Sequence, residues 1–169
     1  LEPLGATRLV PGALDFWPGP GPRTLDLGRW GKSGMQICYE IVFSGQVVDR
    51  AMRPDYIFNP SNDGWFGDTT GPRQHFHMSR VRAVEEGLPL LRAGNNGVSA
   101  ITNAYGHVES ALELNARGTI DANLPPRVPA PVYAHYGDLL FAGILFAIAC
   151  AVALRTRTLF FSDRFCDVQ

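Results

Sequence analysis

Cys38 is the side chain in this sequence best surrounded for nucleophilic chemistry. The short run Gly34-Met35-Gln36-Ile37 ends on it, apolar Ile37 and Ile41-Val42-Phe43 flank it, and residues Glu40 to Arg53 predict a helix behind it. A thiol at such a strand-to-helix turn lies beside free backbone N–H groups and the positive end of a helix dipole. Both lower its pKa, and the N–H groups offer donors to a developing oxyanion. The competing reading is a buried structural cysteine, since free Cys is among the most buried residue types. From these residues alone both readings stand.

Other chemistry is sparse. Cys38, Cys150 and Cys166 are an odd number at wide spacing, without C-x-x-C or a Cys/His cluster, so neither a disulfide framework nor a structural metal is indicated. His75 and His77 stand two apart, which on a helix sends them to different faces rather than to one metal, and His107 and His135 are isolated. No cofactor is expected. The formal net charge of −1 comes from 15 basic and 16 acidic residues with no basic block, which sets nucleic acid aside as a partner.

The elements that must position Cys38 follow from pattern. Residues Leu1 to Gly28 are rich in Pro and Gly and predict an extended covering loop pinned by Phe16 and Trp17. Thr24–Leu27 and Gly34–Cys38 predict a hairpin, with the cysteine closing its second strand. A helix over Ile41–Met52 stops at Pro54, and Asp55–Asn59 reads as a buried strand running into the loop Pro60-Ser61-Asn62-Asp63-Gly64-Trp65-Phe66-Gly67. In open α/β sheets ligands sit at strand ends, so Cys38 and this loop are expected to face one site. Trp65 and Phe66 are then either apolar anchors or a hydrophobic lip. Asn62 is carried with them as a candidate substrate contact, although Asn62 and Asn96 have the simpler reading of turn formers.

Pro72 opens a helix over about Arg73–Glu86, with Phe76, Ser79, Val81, Ala83 and Val84 as its less polar positions, and Gly87 caps it. Leu88–Ala93, a type I′ turn at Asn95-Asn96-Gly97 and Val98–Thr102 predict an antiparallel pair, followed by a turn at Asn103–Gly106 and the segment His107–Leu114. This order gives α/β with a mixed sheet. Pro125, Pro126, Pro129 and Pro131 then break regular structure.

Leu139 to Leu154 is uncharged and apolar on every side. At about 1.5 Å per residue it covers roughly 24 Å, somewhat short of a hydrocarbon core of roughly 30 Å. Tyr133 and Tyr136 before it resemble an interfacial belt, Arg155 and Arg157 follow it, and no polar face exists for water. A transmembrane helix is expected over 138–155. The positive-inside tendency would leave 156–169 as a cytoplasmic tail and the α/β domain on the outer side.

Taken together, Ile37-Cys38-Tyr39-Glu40 with Phe43, Ser61-Asn62-Asp63-Gly64-Trp65-Phe66-Gly67, Gly71-Pro72-Arg73-Gln74-His75-Phe76, the Arg80–Glu85 helix and Arg92-Ala93-Gly94-Asn95-Asn96-Gly97 resemble the nitrilase-like domain of the bacterial apolipoprotein N-acyltransferases. The resemblance runs from Leu1 to about Leu114, and the apolar helix lies where that family has its last transmembrane segment. It implies that residues 1–124 are the C-terminal portion of a four-layer αββα nitrilase-like sandwich, joined by a Pro-rich linker, 125–137, to one transmembrane helix in the bacterial inner membrane. It also implies a Glu-Lys-Cys triad that moves an acyl chain from a phospholipid to the lipidated N-terminal cysteine of an apolipoprotein. Phospholipid, apolipoprotein and membrane are thus the implied partners. Cys38 would be the nucleophile, the backbone N–H of Tyr39 an oxyanion donor, and Tyr39 and Glu40 supports. Glu40 also reads as a first-turn carboxylate favoured by the helix dipole.

The sequence departs from that pattern at its start. Its one lysine, Lys32, stands six residues before Cys38 on the same hairpin arm, roughly 20 Å away if extended, and Glu2 does not match the family's general base. These 169 residues are therefore expected to be a truncated portion, inactive alone. Three other readings remain: a nitrilase or amidase acting on a carbon-nitrogen bond, a Cys/His hydrolase using His75 or His77, whose simpler reading is at the helix surface or behind the site, and a non-catalytic membrane-anchored remnant.

Overall fold

The computed structural model describes residues 19–166, with side chains placed through residue 156. The expected covering loop, with Phe16, Trp17 and Glu2, lies outside the described residues. Six strands form one mixed sheet in sequence order: β1 Arg23–Asp26, β2 Lys32–Met35, β3 Tyr56–Ser61, β4 Leu90–Gly94, β5 Ser99–Thr102 and β6 Val108–Leu112. β1 pairs with β2 antiparallel, β2–β3–β4 run parallel, and β4–β5–β6 return antiparallel. Helix α1, Gly71–Glu86, connects the parallel strands β3 and β4. Pro72 sits in its first turn, where the missing N–H costs nothing, and Gly87 ends it in the left-handed conformation.

The apolar core lies between α1 and the sheet. Ile57 from β3, Leu90 from β4, Ala83 from α1 and Leu88 meet Ile41, Val47 and Val48 from the segment after Cys38. That segment is not the helix expected over Glu40–Arg53. A 3-10 helix, Cys38–Val42, is followed by turns up to β3. Gly45 at positive φ interrupts any helical run, and the stretch instead drives Ile41, Val47 and Val48 into the core.

The remaining elements are close to expectation, with two further differences. Asn95, Asn96 and Gly97 do turn the chain between β4 and β5, but none adopts the positive φ that a type I′ turn requires. Gly97 is there for space, because a Cβ would collide with the carboxylate of Asp63. The linker also carries a short helix, α2 Val132–Tyr136, and it is tied to the body: the N–H of Val128 donates to Gly87 O at 3.0 Å, and Arg53 Nη2 donates to Val128 O at 3.1 Å.

Helix α3, Leu139–Cys166, is longer than the expected span and takes in most of the expected tail, through Cys166. Its segment Leu139–Thr156 has mean hydropathy 2.2 and none of it is buried. By length and composition it is able to cross a membrane.

Candidate active site

Cys38 lies three residues past the end of β2, as the first residue of its 3-10 helix, and holds φ at +53°. A non-glycine residue there is strained and persists only where its surroundings determine it. The surroundings are visible. Glu40 Oε2 accepts from the N–H of Ile37 at 2.7 Å, and Asn59 Nδ2 on β3 donates to Gln36 O at 2.6 Å and Cys38 O at 3.1 Å. In the first turn of a 3-10 helix the N–H groups of Cys38 and Tyr39 have no intrahelical acceptor.

The half-exposed Sγ of Cys38 lies 3.8 Å from Asn62 O and 3.5 Å from Ser61 Oγ. It opens on a cleft of about 480 Å³ lined by Ile37, Cys38, Pro60, Ser61, Asn62, Ala93, Gly94 and Asn95. The ends of the parallel strands β3 and β4 form its floor, as expected for an open α/β sheet. Lys32 begins β2 while Cys38 follows its far end, so an intact strand separates them.

The other expected site residues divide. Asn62 lines the cleft, and its Oδ1 also caps the 3-10 helix Asp63–Phe66 by accepting from Gly64 N at 3.1 Å, so it is a turn former and a cleft residue at once. Trp65 is 76% exposed and Phe66 half-buried, and neither lines the cleft. Phe66 is an anchor, packed on His75 with ring centroids 5.6 Å apart and filling the space beside Gly71. Trp65 is the lip. Tyr39 is exposed, edge-on to Phe43 at 6.1 Å and 5.8 Å from the His75 ring.

Behind the thiol lies a buried polar layer that sequence reasoning missed. Asp63 is fully buried and accepts from Ser61 Oγ at 2.8 Å, His75 Nδ1 at 2.8 Å and Arg92 Nη2 at 2.8 and 2.9 Å. Burial alone would raise its pKa, but hydrogen bonds from His75, Arg92 and Ser61 and the Arg92 charge outweigh it and hold the carboxyl at about 2. An ionised Asp63 only accepts, so Nδ1 of His75 carries the proton. Nε2 of His75 is buried without a hydrogen-bond partner among the described residues. Arg92 also donates to Ser79 Oγ at 3.1 Å and to Asn59 Oδ1, which connects the layer to the residue holding the Cys38 carbonyl. The single Ser61 hydroxyl proton faces both Asp63 Oδ1 at 2.8 Å and Cys38 Sγ at 3.5 Å, which ties the layer to the thiol.

This arrangement disfavours a Cys/His pair: His77 is exposed, and the hydrogen-bond partners of Cys38 Sγ among the described residues are Ser61 and Asn62. His75 belongs to the layer behind the cleft. A signal for that layer was present in the sequence, as polar residues 75, 79, 82 and 86 at helical spacing and the lone polar side chains Asn59 and Arg92 inside apolar strands.

The chain is 46% identical over 157 residues to an apolipoprotein N-acyltransferase of Bradyrhizobium diazoefficiens and 36% identical over 157 residues to one of Rhodopseudomonas palustris; each match covers 93% of this chain and 29% of that protein. The chain thus spans less than a third of the length of these curated relatives. Among solved structures, a mutant amidase from Nesterenkonia sp. AN1 is 19% identical with a TM-score of 0.48, covering 77% of this chain and 51% of that one, a likeness too loose to carry an argument. The carbon-nitrogen hydrolase family model matches residues 7–130. By that match, which takes in the whole cleft, the chain belongs to the carbon-nitrogen hydrolase family.

Proposed function

We propose that this chain carries the nucleophile of an apolipoprotein N-acyltransferase, with Cys38 receiving an acyl chain from a membrane phospholipid and passing it to the N-terminal amine of a lipidated apolipoprotein. The observation that carries this reading is a half-exposed, conformationally strained thiol at an open cleft, on a body continuous with a helix whose apolar surface is wholly exposed. A small polar amide requires no such helix. The names of the relatives point the same way.

In the first half-reaction the Cys38 thiolate attacks the ester carbonyl. The S–C bond forms, the ester C–O bond breaks, and the lysophospholipid leaves as an alcohol once it takes up a proton. In the second, the amine attacks the thioester, the amide forms and Cys38 leaves as thiol. A thioester suits both steps because thiolate is a strong nucleophile and a good leaving group towards an amine. Each step passes through a tetrahedral oxyanion, for which the N–H of Tyr39 is the proposed donor. Glu40 supports it indirectly, by bonding Ile37 N–H and fixing the turn. Asn62 and the Trp65 lip are proposed substrate contacts, with Phe66 fixing the base of the Trp65 turn. The proton-transfer Glu and Lys of the family's triad are assigned to residues outside this sequence, because the sole lysine stands across β2 from Cys38. Helix α3 is proposed to span the inner membrane, its Arg155 and Arg157 end cytoplasmic and the cleft outside.

The test is the intact mass of the full-length protein after incubation with phospholipid vesicles and no amine acceptor. One added acyl chain is expected, absent from Cys38→Ala. An adduct that survives the substitution overturns the assignment.

A further inference from the structure

The Cys38 turn is linked to the base of α3 by an unbroken series of side-chain contacts. Val42, the last residue of the 3-10 helix that Cys38 begins, accepts from Arg82 Nη1 at 2.7 Å. Arg82 lies against both carboxylate oxygens of Glu85 at 2.7 and 2.6 Å. Glu85 Oε2 accepts from Ser44 Oγ at 2.8 Å, Ser44 Oγ meets the Tyr133 hydroxyl at 2.5 Å, and Tyr133 donates to Asp138 Oδ1 at 3.0 Å. Asp138 then accepts at its backbone oxygen from Ala142 N at 2.9 Å, inside the first turn of α3.

Two hydroxyl protons serve three oxygen contacts here. With the Ser44 proton on Glu85, the Tyr133 hydroxyl proton is shared between Ser44 Oγ and Asp138 Oδ1. The phenol pKa is raised: the Ser44 bond opposes this, but partial burial, the bond to Asp138 and the nearby carboxylates together prevail, so Tyr133 stays protonated as a donor. A second attachment makes the geometry stiff. The linker preceding α2 is bonded to Gly87 and Arg53 through Val128, so α2 cannot drift while Tyr133 holds its place.

We propose that Tyr133 is a positioning residue: with Ser44 and Asp138 it sets the height of Cys38 relative to the bilayer that α3 enters, and so selects esters presented at the membrane surface over soluble ones. This rests on the proposed membrane placement of α3. It adds to that reading a residue whose work is reach rather than reactivity.

The experiment measures labelling of Cys38 itself, located by peptide mass, in the full-length protein in phosphatidylcholine vesicles. Two reagents are compared: a water-soluble maleimide, and the same maleimide carried on a phospholipid headgroup. In Tyr133→Phe the lipid-borne reagent is expected to label Cys38 about tenfold more slowly, with the soluble reagent unchanged. Ser44→Ala should give the same split, and Tyr136→Phe none. Equal slowing with both reagents would mean a structural role, and no slowing, or a wild-type Cys38 that the lipid-borne reagent does not reach, would equally overturn the proposal. Because labelling requires no acyl transfer, a persistent split without an acyl adduct from phospholipid would refute the proposed activity and leave the positioning role standing.

Discussion

Helices α1 and α3 reverse the usual rule in opposite directions. α1 buries His75, Ser79, Arg82 and Glu86 and leaves Val84 exposed, while α3 exposes Leu139, Phe141, Ile144, Phe146 and Ile148 to every side. Residue type alone therefore predicts neither face. In α1, burial is tolerated because partners are available: Asp63 for His75, Asn59 and Arg92 for Ser79, Glu85 and the Val42 carbonyl for Arg82. In α3 there is nothing to partner, and an apolar cylinder of this length is stable in hydrocarbon rather than in water. One helix is shaped by the site it supports and the other by its solvent.

The strongest way to break this contrast is to remove one partner from the polar layer. Arg92→Ala leaves Asp63 buried without its counter-charge, and loss of one member of a buried pair costs about 3–5 kcal/mol. Val84→Ala, at an exposed apolar position of α1, should cost less than about 0.5 kcal/mol. Urea unfolding of the chain in detergent micelles compares the two. Equal losses would mean that the polar layer is incidental to the fold.

The next effect belongs to α3. Ile148 lies near the middle of Leu139–Thr156, where an arginine opposes insertion by about 2.5–3.5 kcal/mol. Ile148→Arg should therefore move a large part of the protein from the membrane pellet to the soluble or aggregated fraction after expression. Unchanged partition would show that α3 packs on protein, and the contrast with α1 would dissolve.

The same contrast explains what could be read from the sequence. α3 was legible because its signal is local: sixteen consecutive uncharged residues need no knowledge of neighbours. The strands and α1 were legible for a related reason, since Pro72, Gly87 and the alternation of apolar runs act within a few residues. Cys38 was found as a thiol at a strand end, but the helix expected behind it is a 3-10 turn followed by turns and bends, with Gly45 at positive φ and Ile41, Val47 and Val48 turned into the core. The polar layer was not legible as a unit. Asp63, His75 and Arg92 are separated by 12 and 17 positions, and only the pairing of β3 with β4 beneath α1 brings them together. Of the less polar positions read in α1, Ser79 and Ala83 are buried but Phe76, Val81 and Val84 are not, and the buried face is mostly polar. Gly97 was read for its conformation, whereas it is required by the Asp63 carboxylate beside it.

Two buried carboxylates, Asp63 in the polar layer and Glu86 at the far end of α1, sharpen the comparison through opposite responses to pH. Asp63 is held at about 2, below its ordinary 3.8, so its contribution is complete above about 4 and is lost as the pH falls towards 2; the difference corresponds to about 2 kcal/mol. Glu86 differs because burial is its largest influence and raises its pKa above 4.5, with Glu85 adding to the rise and Arg50, Arg53 and Arg82 only partly offsetting it. A raised carboxylate penalises the folded state when ionised, so this cost is relieved as the pH falls from neutrality through the folded pKa. Stability measured against pH should then rise gently on acidification towards about 4.5 and fall below about 4. Glu86→Gln should remove the gentle rise and keep the acid limb, whereas Asp63→Asn should lower stability at neutral pH and flatten the acid limb. If both substitutions flatten the same limb, the two carboxylates act as one coupled pair, and the separation between a satisfied charge at the cleft and a strained one at the far end of α1 fails.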